Sequence, residues 1–157
     1  MEIKLFVLIV VANGSPIVIA KLLGPRLAWP MDFGLQLWGN PLLGTSKTYR
    51  GILTSILLTT LCAWLLNMDL HYGLLVSIAA MAGDLLASFC KRRLAIPSSG
   101  MAPGLDQIPE SLLPLLVVKE MAGIDAATIF LLVLSFIFIE LVLSRIGYAL
   151  RIRKRPY

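Results

Sequence analysis

At 157 residues, 58% hydrophobic and only 15% charged, with a mean hydropathy of +0.86, the chain departs far from a soluble domain, where about a quarter of residues carry charge. The same figures exclude a disordered chain and a disulfide-stapled secreted domain, and they describe a small multi-pass membrane protein. Fourteen Lys and Arg against nine Asp and Glu give a net charge of +5. Because the bases gather at the ends of apolar runs, they speak for membrane topology and anionic ligands, with no nucleic acid as partner.

About 20 apolar residues cross the hydrocarbon layer as a helix. The first run, residues 3–23, is long enough but carries the polar break Asn13-Gly14-Ser15-Pro16. Glu2 and that break argue against a cleaved signal peptide. Residues 24–50 are rich in Gly and Pro and read as a loop. A second run covers 51–66, a third 72–90, ending at Lys91-Arg92-Arg93. Residues 94–110 form another polar loop. The fourth run, 108–121, is short and contains Pro114; the fifth, 126–146, leads into the basic tail Arg151 to Arg155. With no internal repeat or soluble module, the expectation is one transmembrane domain over 1–157.

The fourth run covers only about 21 Å as a helix, so a crossing and a re-entrant hairpin compete. Charge asymmetry decides between them. Five crossings with the N-terminus outside put Arg26, Lys47, Arg50, Lys91, Arg92, Arg93, Arg145, Arg151, Arg153, Lys154 and Arg155 on one side, with Lys21 leaning the same way. Only Lys4 and Lys119 fall on the other. That agrees with the positive-inside rule. The expected fold is an all-α integral membrane protein of five transmembrane helices in the cytoplasmic membrane, N-terminus outside and C-terminus cytoplasmic. Both long loops, and hence the polar chemistry, then face the cytoplasm.

Three polar groups stand out. In the third run Asp84, Ser88 and Lys91 fall at i, i+4 and i+7, on one helix face. A carboxylate about 10 Å below the lysine either faces a polar cavity or cation, or forms an internal ion pair. Lys91-Arg92-Arg93 reads equally as a stop-transfer anchor. The second group is Leu43-Gly44-Thr45-Ser46-Lys47-Thr48-Tyr49-Arg50-Gly51, where Thr45 or Ser46 caps the second helix. A helix start with hydroxyls, Lys47 and Arg50 suits a phosphate, or is a solvated basic cap; it is not a Walker A motif. The third group, Ser98 to Glu110, brings Asp106 to the mouth of the fourth run. Asp84 and Asp106 together would hold a hard divalent cation, with Mg²⁺ favoured; alternatively Asp106 and Glu110 cap the helix.

The remaining polar residues carry less signal. Asn13 either faces the same cavity or satisfies backbone at a kink. Glu140 either pairs with a base of a neighbouring span or rises to the interface. Cys62 and Cys90 read as core residues, His71 stands alone and speaks against zinc, and the three Trp suit interfacial anchoring. Apart from an enzyme, a proton-coupled transporter using Asp84 and Glu140 and a non-catalytic lipid-binding subunit also fit the composition.

Ala12-Asn13-Gly14-Ser15-Pro16, the Leu43 to Gly51 loop, Gly83-Asp84-Leu85-Leu86 with Ser88 and Lys91-Arg92-Arg93, and Leu105-Asp106-Gln107, in this order along nearly the whole chain, resemble the CDP-archaeol synthase family (CTP:2,3-di-O-geranylgeranylglycerol-1-phosphate cytidylyltransferase), related to the CDP-diacylglycerol synthases. Two positions depart from its pattern: Trp38-Gly39 stands where members carry Asp-Gly, and Pro109-Glu110 where they carry a further Asp, for which Glu110 would compensate. The resemblance implies transfer of the cytidylyl group of CTP to a lipid phosphate, isoprenyl-ether or phosphatidate-like, with release of pyrophosphate. It implies Asp84 and Asp106 as Mg²⁺ ligands, and Lys47, Arg50 and Lys91 as phosphate-neutralising bases, so that Asp84, Lys91 and Asp106 form the catalytic set. Asn13, Ser46 and Ser88 would supply neutral hydrogen bonds, and Arg92 would reach the lipid phosphate.

Overall fold

The computed structural model describes residues 1–98, 100 and 102–151. Among these are five helices: α1 (Glu2–Leu23), α2 (Tyr49–Leu65), α3 (Leu70–Arg93), α4 (Gln107–Ala122) and α5 (Ala126–Ala149). Of these, α1, α3 and α5 are long and apolar enough to cross a membrane, while α2 and α4 have 17 and 16 residues. Ser99, Met101 and the basic residues Arg153, Lys154 and Arg155 lie outside the described residues.

Successive helices run antiparallel. Lys4 at the start of α1 donates to the Leu66 carbonyl after α2 (2.7 Å), and Tyr72 at the start of α3 donates to the Met121 carbonyl at the end of α4 (2.6 Å). Lys21 at the end of α1 reaches the Arg151 carbonyl after α5 (2.7 Å), so α1 and α5 share a direction. This up-and-down order gathers both long loops at one end of the bundle. Short connections close the other end, where Leu5, Leu8, Val76, Leu115, Val118 and Phe136 form the centre of the apolar core.

Small residues let the helices approach closely. A methyl group at Gly73 of α3 would lie 2.5 Å from the Thr60 Cα of α2, and one at Gly51 of α2 would lie 3.2 Å from the Pro16 side chain of α1. Pro16 does not break α1, contrary to the interruption read from the sequence. Its missing N–H leaves the Ala12 carbonyl without the usual helical donor, and the Ser55 hydroxyl of α2 donates to that oxygen at 2.8 Å. Asn13 and Ser15 donate back to Ile9 and Val11 of their own helix.

One further expectation needs correction. Thr48, not Thr45 or Ser46, caps α2, its hydroxyl accepting from the Gly51 amide at 3.3 Å. The bundle is all-helical, as expected, and within the loop before α2 Gln36–Leu37 (β1) and Asn40–Pro41 (β2) pair as a minimal antiparallel hairpin. Both turn residues, Trp38 and Gly39, have positive φ (52° and 77°), which a two-residue hairpin of this twist requires. Tryptophan is costly there. Arg93 offsets the cost, donating to the carbonyls of Leu37, Asn40 and Pro41 and stacking over the Trp38 and Phe89 rings.

Gly73→Ala is expected to lower thermal stability in detergent by about 1–3 kcal/mol through overpacking. Gly14→Ala, where an added methyl meets nothing within 4 Å, is expected to be neutral or to stabilise by up to about 1 kcal/mol. Thermal unfolding of the two variants checks the pair.

Candidate active site

The loop between α1 and α2 is organised by a buried carboxylate. Asp32 accepts from the amides of Gly34 (3.0 Å), Leu43 (2.8 Å) and Gly44 (2.9 Å). Burial alone would raise its pKa, but these amides outweigh burial and hold the carboxyl below its ordinary value. Its contribution to folding is therefore present above the ordinary carboxylate range and lost only as pH falls through the lower folded value. Beside it the chain pairs in strand fashion: the Met31 amide donates to the Lys47 carbonyl (2.8 Å) and the Tyr49 amide to the Trp29 carbonyl (3.2 Å). Lys47 is thus fixed at its backbone before its side chain leaves the loop.

That side chain meets α3. The Lys47 Nζ lies 2.5 Å from the Asp84 Oδ1, with the two side chains 20% and 18% exposed. Burial pushes the Lys47 ammonium down, but Asp84, followed by Glu110 and Asp106, prevails and holds it above the ordinary lysine value. The lysine's share of this stabilisation is present below that ordinary value and lost as pH rises through the higher folded one, so the ammonium keeps its charge in neutral and mildly alkaline solution.

Next to Asp84, Gly83 admits the start of α4. A methyl group there would lie 2.2 Å from the Pro109 carbonyl oxygen and 2.9 Å from the Glu110 nitrogen. This approach brings the Glu110 carboxyl into hydrogen-bonding contact with that of Asp84. About two helical turns further on, Lys91 forms an ion pair with Asp106 and donates to the Gly100 carbonyl (3.3 Å), while Asp106 also accepts from the Ala102 amide (3.0 Å). Asp84 lies within the field of Lys91 as well as Lys47. Ser88, on the same face of α3, is buried.

Lys47, Asp84, Lys91, Asp106 and Glu110 therefore form one electrostatic network drawn from both long loops, α3 and α4. The other residues singled out by sequence are engaged differently. Arg92 is buried and donates to Ser98 Oγ (2.8 Å) and the Pro97 carbonyl (2.9 Å). Arg50 donates to the Arg26 carbonyl, the Asn13 amide to Ile9, and Ser46 is exposed. Sequence reasoning missed Asp32 altogether. Its signal is Asp32-Phe33-Gly34, an Asp two residues before a Gly, the pattern of a side chain closing its own turn. Glu110 reads from sequence as a helix cap or as a carboxylate compensating for the family's further Asp, and the Gly83 approach is what brings it to Asp84.

The donor set suits a hard divalent cation. Two carboxylates in contact are mutually repulsive when ionised unless a proton or cation lies between them, and Mg²⁺ is bound through one or two carboxylates with substrate phosphates completing its shell. Among the described residues no three His, Cys, Asp or Glu side chains converge as a self-contained metal cage.

Asp32→Ala is expected to accelerate amide exchange at Gly34, Leu43 and Gly44 by about tenfold or more, since each charge-assisted bond contributes about 1.5–3 kcal/mol. Hydrogen-exchange mass spectrometry of the loop measures it, and unchanged protection there would contradict the role given to Asp32.

Known proteins resemble this chain in sequence and in fold. Residues 64–157 match the model of the CarS-like family of CDP-archaeol synthases. The chain is 35% identical over 155 residues to the CDP-archaeol synthase of Pyrobaculum arsenaticum, covering 94% of this chain and 92% of that one. It is 40% identical over 104 residues to that of Hyperthermus butylicus, covering 62% and 59%. A solved structure described as an intramembrane enzyme for archaeal membrane lipid biosynthesis superposes with a TM-score of 0.76 at 30% identity, over 90% of this chain and 91% of that one. The chain belongs to the CDP-archaeol synthase family: it is a membrane enzyme, a CTP-dependent cytidylyltransferase that makes a CDP-lipid in membrane lipid biosynthesis.

Proposed function

We propose that the phosphate of an isoprenyl-ether glycerol phosphate attacks the α-phosphorus of CTP at the loop-bearing end of the bundle. A new phosphate-oxygen to α-phosphorus bond forms, the bond from the α-phosphorus to the bridging oxygen breaks, and pyrophosphate leaves. The attacking phosphate is already anionic, so no dedicated general base is needed. The observation that carries this reading is the network of two lysines and three carboxylates around Asp84. Its concentration at one end argues against a proton path across the membrane.

Asp84 and Asp106, with Glu110 beside them, would hold Mg²⁺, which when bound supplies positive charge to the oxygens of the triphosphate. Lys47 and Lys91 neutralise and orient phosphate oxygens, since catalysis of such a transfer is mainly positioning and charge stabilisation. Arg50 offers a further cation at the helix start, and Ser46, Ser88 and Asn13 offer neutral hydrogen-bonding groups. Arg92 acts on the lipid phosphate through the loop it braces, or by exchanging its Ser98 bond for one to phosphate. The lipid chains stay between helices in the bilayer.

The orientation proposed is five crossings of the cytoplasmic membrane, N-terminus outside, with the site open to the cytoplasm. It is supported by the antiparallel order of the helices, the short connections at the far end, and the clustering of basic residues at the loop-bearing end. Burying the 16 to 17 residues of α2 and α4 in the same layer requires either local thinning or little tilt.

Asp84→Asn is expected to reduce turnover at least about 100-fold while the protein still inserts and folds. Chelation of divalent cations should abolish activity, and Mg²⁺ should restore it. The assay is labelled CTP with purified protein and a panel of ether, ester and isoprenyl phosphates. Full activity of Asp84→Asn, or transfer that survives chelation, would contradict the assignment. Equal use of the ester phosphate would remove the preference for ether lipid.

A further inference from the structure

The loop joining α1 to α2 has an inverted build. Its polar contacts point inward: Asp32 holds three amides, Arg93 holds three carbonyls of the hairpin, and residues 29–31 pair with 47–49. Its large apolar side chains point outward. Leu27, Trp29, Phe33, Leu35 and Trp38 are between 56% and 82% exposed. Because the inner contacts fix the backbone, this outward set is a fixed surface, and so large an apolar patch in water is unfavourable.

We propose that this surface is an interfacial platform that lies in the headgroup region of the bilayer on the side where the site opens, and that its partner is the lipid surface itself. Three observations select the bilayer as occupant. The loop is tied at both ends to the bundle's apolar helices, whose adjoining turns themselves expose Leu22 of α1 and Leu53 of α2. The patch carries two indoles and a phenyl ring, the side chains favoured where apolar and aqueous phases meet. Lys21, Arg26, Arg50, Arg145 and Arg151 stand at the same end of the bundle, a charge complement to anionic headgroups. A consequence follows for the reaction: with the platform seated, Lys47 and Arg50 lie near the plane of lipid phosphates. The inference rests on the membrane orientation proposed above.

The chain has three tryptophans, so depth is directly readable. Variants that keep a single tryptophan, the other two replaced by Phe, are placed in nanodiscs of brominated phosphatidylcholine mixed with phosphatidylglycerol. Bromine near the headgroup is expected to quench Trp29 and Trp38 more than bromine deep in the chains. Trp64, at the opposite end of α2, is the internal reference for insertion. Quenching of Trp64 without quenching of Trp29 or Trp38 would overturn the platform and leave the crossings intact. Absence of quenching at all three would overturn the crossings as well. Exposed indoles that lose accessibility only on self-association would assign the patch to a second copy and overturn the platform. In the same nanodiscs Trp29→Ser with Phe33→Ser should raise the KM for bilayer-borne lipid phosphate about tenfold while the KM for CTP stays within about twofold. Equal rises in both would mark a merely structural effect.

Discussion

The ammonium of Lys47 against the carboxylate of Asp84 ties the loop between the first two helices to the third helix. Neither charge is stable alone in a mostly apolar bundle, since an unpaired ion there incurs desolvation without return. Together they demand that the loop fold down onto α3, and everything that positions the loop serves that demand. Asp32 gathers three amides so that the chain turns back toward Lys47, and the pairing of residues 29–31 with 47–49 fixes where the lysine begins. On the other side Gly83 lets α4 approach closely enough for Glu110 to reach Asp84. The cluster is a consequence of three close approaches, one made by a backbone-capping carboxylate, one by strand-like pairing and one by a glycine.

The rest of the bundle separates two tasks. Large aliphatic and aromatic side chains fill the end closed by short connections, while small and hydroxylated residues line the middle, where α1, α2 and α3 touch. Ser55 repairs the carbonyl that Pro16 leaves open. A proline that would kink an isolated helix thus becomes a contact between two helices. Lys91 and Arg92 then brace the second loop through Gly100, Pro97 and Ser98, and Arg93 braces the hairpin of the first. One basic triplet, read from sequence as a stop-transfer anchor or a ligand set, holds down both loops and leaves Lys91 facing a carboxylate.

Periodicity and composition were enough to recover the five helices to within about three residues, because apolar runs bounded by Pro, Gly and charge are a local signal. The face shared by Asp84, Ser88 and Lys91 was likewise legible from spacing alone. What stayed hidden depends on contacts between distant residues. No spacing rule links Asp32 to Leu43 and Gly44, Gly83 to Pro109, or Arg93 to a hairpin whose turn holds a tryptophan in the left-handed region. The cap of α2 moved from Thr45 or Ser46 to Thr48 because the strand-like pairing at 47–49 delays the first helical turn. The family resemblance read from the motifs agrees with the family to which the chain belongs, and the two positions that depart from its pattern sit in these same non-local contacts, one in the hairpin turn and one in the α3–α4 approach.

The central claim is that carboxylates of α3 and of the loop entering α4 act on one divalent ion together with the nucleotide. Titration of Mn²⁺ into the purified protein with CTP, followed by electron paramagnetic resonance, measures this without turnover. The account predicts that Asp84→Asn and Asp106→Asn each weaken Mn²⁺ binding by about tenfold or more, and that the two together weaken it by less than the sum of their separate free-energy effects. Unchanged affinity in both single variants would contradict it.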